Sequence, residues 1–451
     1  MKKIYLLALV GLIIGLASCR KDNNKNNPTL SPATRTYSSV PLQNYFTLMC
    51  TITKATKGFF PPQAARAYGY VGIAAYEAVR NGISGAMTLQ GQIGGLSNIP
   101  VADPIVEYNW AISSNAAVAD MMRDMFDVNL TATTRAKIDS SEQANLTALS
   151  AGVNPDVVTR SVRFGKAVTQ AIYESSKTDG GHQSYIDAFQ LPYTLPVGNF
   201  CWVATNPAVP SPISPKWGGN RPFLALNITN VLPDDPSPFS VDASSAFYTN
   251  AMAVYHQVKN NTAEQVEIAK FWADDPFNTC TPAGHTFNIM TQLLKENSAT
   301  LEKASVAFAK LSIAENDAFI SCWKCKYKYD LIRPVSYIKK YIDATFATVI
   351  GTPAFPAYAS GHSYESGAGS MIFTNMFADA SGNYDFTDYS QVQYGFATRH
   401  YNNFNDLALE CANSRFYAGI HVNEDNVEGL KMGKQVGDNV NKLIIWPTNL
   451  R

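Results

Sequence analysis

Apolar residues recur at three- and four-residue spacing over most of this chain. In the stretch 64–80, Tyr68, Val71, Ala75 and Val79 share one stripe, and Asn81-Gly82 supplies a stop signal. The stretch 104–126 continues the pattern with Trp110, Ile112, Ala117, Met121 and Phe126. Two more amphipathic helices are predicted over 134–151 and 156–175, the second opened by Asn154-Pro155. Helical spacing returns at 244–260, 263–273, 285–296 and 299–328, is broken by proline and glycine around 351–361, and resumes at 362–378, 389–412 and 424–443. Between these blocks, residues 178–243 are rich in Pro, Gly, Ser and Asn, and a loop of that length either carries function or wraps the surface. No fixed-period repeat and no alternating strand block is found. The expected fold class is mainly α: helical bundles, as two four-helix-bundle-like units, with long irregular loops.

Composition narrows the function classes. The chain has 451 residues and 46% hydrophobic content, enough for a large core and too much for global disorder. Its 36 basic and 36 acidic side chains cancel, which argues against a nucleic-acid partner.

The N-terminus is expected to be processed. Lys2 and Lys3 precede an apolar run over 4–17, a signal peptide too short to span a membrane. The sequence Leu16-Ala17-Ser18-Cys19 resembles the lipobox of bacterial lipoproteins, which implies cleavage after residue 18 and a lipid on Cys19. The alternative is an ordinary secretory signal. Removing residues 1–18 takes away two lysines and no acid, leaving 34 basic against 36 acidic side chains. The expected organisation is a lipoprotein signal at 1–18, a flexible tether at 19–40, and one helical domain at 41–451 with its active-site motifs within 323–425. Such a protein is exported, facing the periplasm or anchored at the outer membrane or cell surface, and meets the membrane only through Cys19. Six further cysteines leave 15 disulfide connectivities open, and the Cys322-Trp323-Lys324-Cys325 motif lacks the βαβ setting of a redox site and the second ligand pair of a zinc site.

The last third of the chain carries the chemistry. Lys326 is followed after six residues by Arg333-Pro334. Next comes Ser360-Gly361-His362. Last is Ser414-Arg415, five residues, His421, three residues, Asp425. Lys326 and Arg333, seven apart, are expected on one face of a helix that ends or kinks at Pro334. With Arg415 they supply the fixed cations that a multiply charged anion needs. Ser360-Gly361-His362 stands where an irregular loop meets a helix, so backbone N–H groups and the helix dipole favour an anion there. If 421–425 is helical, Asp425 reaches Nδ1 of His421 and frees Nε2 to attack phosphorus or ligate a metal. His362 is the candidate general acid or base.

This set resembles the superfamily of vanadium-dependent haloperoxidases and type 2 phosphatidic acid phosphatases, whose shared pattern is Lys-x6-Arg-Pro, Pro-Ser-Gly-His and Ser-Arg-x5-His-x3-Asp. Ala359 stands where the family has proline, which puts the rigidity of that loop in doubt. Pro207 to Trp217 resembles a proline-rich stretch of soluble bacterial haloperoxidases. The resemblance implies that Lys326, Arg333, Ser360, Gly361 and Arg415 hold the equatorial oxygens of vanadate or phosphate. It implies that His421 is the axial vanadium ligand or the phosphorylated nucleophile, and that His362 bonds the opposite apical oxygen or protonates the leaving group.

The anion-binding residues cannot separate the two activities. Trp323 and Phe355 are candidates for an apolar edge that suits a polarizable halide. Together with the length of the chain they favour a peroxidase that uses hydrogen peroxide, with iodide or bromide preferred over chloride. The alternatives are an acid phosphatase acting through a phosphohistidine and a glycan-binding lipoprotein without enzyme activity. The organic acceptor and an oligomeric state are left open. His285, after Ala283-Gly284, is expected at the pocket mouth at best, and His182, His256 and His400 on the surface or in packing.

Overall fold

A computed structural model describes residues 31–443 and Trp446. The expected signal peptide and Cys19 lie outside the described residues. Fourteen α-helices and one two-stranded sheet are present among those described. The N-terminal group is α1 (Val40–Ala55), α2 (Pro61–Glu77), α3 (Trp110–Phe126), α4 (Ala132–Leu149) and α5 (Pro155–Ser176). The short α6 (Leu226–Thr229) interrupts a long irregular segment, and α7 (Ala246–Lys259), α8 (Ala263–Phe271) and α9 (Thr281–Glu296) follow. The C-terminal group is α10 (Leu301–Tyr329), α11 (Pro334–Tyr341), α12 (Gly361–Phe377), α13 (Phe404–Tyr417) and α14 (Asn423–Asn441).

Helix α10 is the axle. Its 29 residues span about 43 Å at 1.5 Å per residue, and most are buried on every side. One flank packs on α2 and the other on α12 and α14, so it belongs to both bundles. On the first flank Tyr68 stacks with Phe46 and Phe287, and Phe46 with Phe308, their centroids 3.7 Å apart. On the second, α12 and α14 approach closely because α14 presents Gly433 and Gly437 to α12. A Cβ on Gly433 would lie 2.0 Å from the Tyr364 carbonyl oxygen, and one on Gly437 2.6 Å from that of Ala368. This contact sets the N-termini of α12 and α14 side by side, and the candidate site is built there.

Four expectations change. Residues 31–39, assigned to the tether, pack on the first bundle. The Thr34 hydroxyl donates to the Val79 carbonyl at 3.0 Å, and the Tyr108 amide donates to Ser31 Oγ at 2.8 Å. Hydroxyls rather than apolar side chains hold this segment, so composition did not signal it. The helix expected over 389–412 begins only at Phe404, where Asn403 caps it by accepting from the Asp406 amide. Before it, β1 (Phe386–Asp388) pairs antiparallel with β2 (Arg399–Tyr401), Asp388 opposite Arg399. α1 and α11, each with proline in its first turn, were not foreseen. The proline-rich stretch is irregular as expected and wraps the surface, pinned where Asp317 of α10 accepts from the Phe223 and Leu224 amides at 2.7 and 2.8 Å.

Candidate active site

Lys326 lies in the last turn of α10. That helix does not continue to Arg333: Asp330 takes a left-handed conformation (φ 47°) and turns the chain. Arg333 caps α11, and Pro334 occupies its first turn. The two cations therefore converge through a turn between helices, not along one helix face as expected from their spacing. The Lys326 ammonium donates to the carbonyls of Pro356, Ala357 and Ala359 at 3.0, 2.9 and 2.6 Å. The loop that lacks the family proline at 359 is thus clasped by Lys326. Arg333 Nε donates to the Phe355 carbonyl at 2.8 Å, and Nη1 donates to the Ile420 carbonyl at 3.1 Å and to His421 Nε2 at 3.0 Å.

Ser360 caps α12. Its amide donates to the Asp425 carbonyl at 3.0 Å, and its hydroxyl accepts from Ser363 Oγ at 2.9 Å. Gly361 and His362 open the helix, so their side-chain positions face the anion-favouring end of its dipole. From α13, Arg415 Nη1 donates to the Trp272 carbonyl at the end of α8. His421 stands two residues before α14, and Asp425, in the first turn of α14, reaches back to its Nδ1 at 2.7 Å. Nδ1 therefore carries the proton, and Nε2 holds the lone pair that accepts from Arg333.

Gly361, His362, Arg415 and His421 line one small cavity with an empty volume of about 320 Å³. Trp323 and Phe355 form its apolar edge with ring centroids 4.9 Å apart, joined by Phe319 and by Pro61, Pro282 and Pro353. The Phe355 ring also faces Lys326 Nζ at 5.1 Å and the Arg333 guanidinium at 5.0 Å. Lys326, Arg333 and Ser360 stand behind this lining, fully buried.

Burial governs the electrostatics. It pulls Lys326 down to about 8 and Arg333 down to about 9, with Arg333 adding to the fall at Lys326 and Arg415 to the fall at Arg333. Burial, then Arg333, Lys326 and Arg415, push His421 well below its ordinary 6.5. Burial and Arg415 do the same to His362. Both rings are neutral at pH 7. Asp425 is pushed up to about 7 by burial, against the pull of Lys326 and Arg333.

The region missed in the sequence is the segment after α8. Trp272 supplies the carbonyl that holds Arg415, and its indole stacks on His285 at 4.6 Å. His285 is buried behind the pocket, not at its mouth. The one available signal was Asp274-Asp275, an acid pair directly after an apolar helix end. His182 packs edge-on against Tyr173, His256 lies in α7 and His400 in β2, away from the cavity. Cys50 and Cys280 form a disulfide, while Cys201, Cys322, Cys325 and Cys411 are free and buried. Burial pushes the Cys322 and Cys325 thiols up to about 11 and 12, which makes them poor redox nucleophiles.

Comparison with known proteins places the chain. A family model described as the VCPO second helical-bundle domain matches residues 306–445. A structure described as the first bacterial vanadium-dependent iodoperoxidase aligns with a TM-score of 0.81 and 31% identity, over 90% of this chain and 97% of that one. A holo-type bacterial vanadium-dependent chloroperoxidase aligns with a TM-score of 0.66 and 16% identity, over 87% of this chain and 93% of that one, and shares the fold. No curated protein matches significantly by sequence. The chain belongs to the vanadium-dependent haloperoxidase superfamily, and it has the mainly helical fold of that group.

The residues fit a tetrahedral oxyanion. Arg333 Nη2, Arg415 Nε and His362 Nε2 are buried without hydrogen-bond partners. Each orphaned donor or acceptor costs about 1–3 kcal/mol, so three around one anion site call for a ligand that satisfies them. A Cβ on Gly361 would meet protein only at 3.8 Å, so glycine is kept there for approach from the cavity side. Among the described residues no group of His, Cys, Asp and Glu could hold a bare metal ion. The cationic donor set suits an oxyanion instead.

Proposed function

We propose that this protein is a vanadate-dependent haloperoxidase that converts hydrogen peroxide, a halide and a proton into hypohalous acid and water, with iodide or bromide as the working halide. The carrying observation is the unsatisfied donors Arg333 Nη2 and Arg415 Nε, with the unpartnered His362 Nε2 and the His421 lone pair, around one cavity edged by Trp323 and Phe355. The likeness to a bacterial iodoperoxidase over nearly the whole chain supports the same reading.

Arg333, Arg415, Ser360 and the Gly361 amide would hold the oxygens of vanadate, and His421 Nε2 would bind its vanadium. Bound vanadate supplies a Lewis-acid centre that activates peroxide toward halide without changing oxidation state. Asp425 keeps the His421 proton on Nδ1, so the nitrogen facing the cavity stays a lone pair. Lys326, its ammonium held on the Pro356, Ala357 and Ala359 carbonyls, would add positive charge from behind the lining. The free Nε2 of His362 can take a proton from incoming hydrogen peroxide and return it to the oxygen that leaves as water. Trp323 and Phe355 offer the halide a poorly hydrated wall.

The test is oxidation of iodide by peroxide with the purified protein, with and without vanadate. Vanadate-dependent triiodide formation is expected. A chromogenic phosphate ester tests the second reading, in which His421 Nε2 attacks phosphorus and His362 protonates the leaving alcohol. Ester hydrolysis inhibited by vanadate, with no iodide oxidation, would establish the phosphatase instead.

Export as a lipoprotein anchored at Cys19 is part of the proposal. The Cys50–Cys280 disulfide supports an oxidising compartment. Mass spectrometry of the N-terminal peptide, acylated at Cys19 or not, decides the anchor.

A further inference from the structure

The catalytic cavity, at about 320 Å³, is small once it holds an oxyanion. An open cleft with an empty volume of about 1130 Å³ stands beside it. The chain passes from one to the other at three points. Thr279 lines the cleft and Pro282 the cavity, and Ile350 lines the cleft and Pro353 the cavity. Ala273 lines the cleft, and the carbonyl before it, that of Trp272, holds Arg415 of the cavity. The turn over 273–281 is strained as well as shared. Asp274, Phe277 and Thr281 have φ of 49°, 70° and 70°, conformations that cost non-glycine residues energy and collect at functional sites. Phe277 is held out from the turn, 43% exposed. Its ring stands edge-on to Phe60 at 5.6 Å, and Phe60 precedes Pro61 of the cavity lining.

The cleft combines aromatic walls with charged groups, the mixture that fixes a small organic ligand. Phe271 and Phe396 meet edge to face at 5.9 Å, and Tyr394 adds a third ring. The four charged side chains of the lining are not equivalent. Asp274 is satisfied by Gln391 at 2.7 Å and by His285 at 2.9 Å. Lys270 pairs with Glu267 at 3.2 Å. Lys54 stands over the Tyr394 ring at 4.8 Å and has no acidic partner among the described residues. Asp275 is half-buried, and its carboxylate accepts no hydrogen bond among the described residues. Burial raises its carboxyl above the ordinary value, against the pull of Arg415. One free acceptor and one free ammonium therefore stand in the same aromatic-walled cleft.

We propose that this cleft binds the organic acceptor of the reaction, and that the acceptor is a phenolic carboxylic acid. Its ring lies on Phe271 and Phe396, its hydroxyl donates to Asp275, and its carboxylate pairs with Lys54. An electron-rich ring of this kind is what hypohalous acid attacks. The carbon–halogen bond forms beside the hydroxyl as the oxygen–halogen bond breaks. Hydroxide leaves with that electron pair and becomes water with the proton lost from the same ring carbon. Asp275, accepting from the phenol O–H, raises the electron density of the ring under attack. The acceptor waits across one turn of chain from the cavity in which the hypohalous acid forms. The inference rests on the haloperoxidase reading for the source of that acid.

The probe is 3-(4-hydroxyphenyl)propionate, with 4-ethylphenol as the counterpart that lacks the carboxylate. Binding to the protein free of vanadate is measured by calorimetry, and thermal unfolding is followed in every variant. Saturable binding of the acid to the wild type is expected. Lys54→Ala should weaken the acid by up to about fivefold, as for an exposed ion pair, and leave 4-ethylphenol unchanged. Phe396→Ala should weaken both ligands about two- to tenfold. In the iodide assay without acceptor, both variants should form triiodide at the wild-type rate. Iodination of the acid should saturate with its concentration in the wild type and need more of it in the variants. No saturable binding to the wild type, or affinities unchanged in both variants, would overturn the proposal. So would iodination that rises linearly with acceptor and is equal in all three proteins, since hypohalous acid would then react free in solution. If the protein oxidises no halide, the functional reading fails, and the binding comparison still decides whether the cleft takes a phenolic acid.

Discussion

Two buried histidine–carboxylate pairs in this molecule have nearly the same geometry but differ in charge. His421 Nδ1 lies 2.7 Å from Asp425, and His285 Nδ1 lies 2.9 Å from Asp274. Burial lowers both rings. At His421 the surrounding Arg333, Lys326 and Arg415 lower it further, and the ring stays neutral. At His285 the carboxylates of Asp274 and Asp388 overcome burial and raise it to about 10. A unit charge 4 Å away is worth about 4 kcal/mol at an effective dielectric of 20, near three pK units, so the sign of the second neighbour decides. A His–Asp contact alone is therefore not a function. Among cations it makes a lone pair available, and between two acids it makes a fixed positive strut.

The largest effect that separates the pairs is expected at His421. His421→Ala should lose stable vanadate binding and reduce turnover by about a thousandfold or more, as expected when the side chain that would bind the vanadium is removed. Equilibrium dialysis with vanadate and the iodide assay check it. Full activity in that variant, with vanadate present, would sink the site assignment. Asp425→Asn comes next. It leaves the ring in place but frees its tautomer, and a 10- to 100-fold loss in kcat or vanadate affinity is expected.

These residues were legible in the sequence because their chemistry is written as spacing. The interval from His421 to Asp425 is one helical turn, and Ser360-Gly361-His362 marks a helix start by its own composition. The Lys326-to-Arg333 spacing was legible as a pair, but its geometry was not, because a left-handed Asp330 ends α10 between them. The second histidine pair left no trace in the sequence beyond the acid pair Asp274-Asp275. Asp274 and His285 are 11 residues apart but Asp388 lies 103 beyond His285, and it joins them only because the hairpin folds back onto the turn after α8. The mainly helical fold followed from apolar periodicity. The hairpin and the packed residues 31–39 did not, since short strands and hydroxyl-anchored segments leave no periodic trace.

The charged pair also makes a prediction about pH and stability. His285 is raised above its unfolded value of about 6.5, so its contribution is fully present below that pH and is lost as pH rises toward about 10. Unfolding free energy from urea melts should decline across that window by a few kcal/mol, and the decline attributable to this group should be absent in His285→Phe. An identical slope in the variant would show that the strut carries no charge. The cationic pocket has its own window. Lys326 is lowered to about 8, so its charge fades as pH rises through that value. Sulfate, whose charge is constant in this range, should bind more weakly above pH 8, by at most about tenfold per pH unit for one lost proton. Calorimetric titration at pH 7, 8 and 9 checks it. Affinity independent of pH would show that Lys326 keeps its proton.

The smallest effect concerns the aromatic edge, where the neighbours of the lone-pair histidine are themselves held. The Phe355 ring faces both Lys326 and Arg333 at about 5 Å. Such contacts are worth about 0.5–1 kcal/mol each at ordinary sites. Phe355→Leu keeps apolar volume and removes the π face, so sulfate binding should weaken about two- to fivefold. Trp323→Phe retains a ring near Lys326 and should change sulfate binding less. If Phe355→Leu instead raises the KM for halide and leaves sulfate affinity intact, the ring serves the halide wall and not the cations. The neutrality of His421 would then rest on burial and on the guanidinium and ammonium charges without aromatic support.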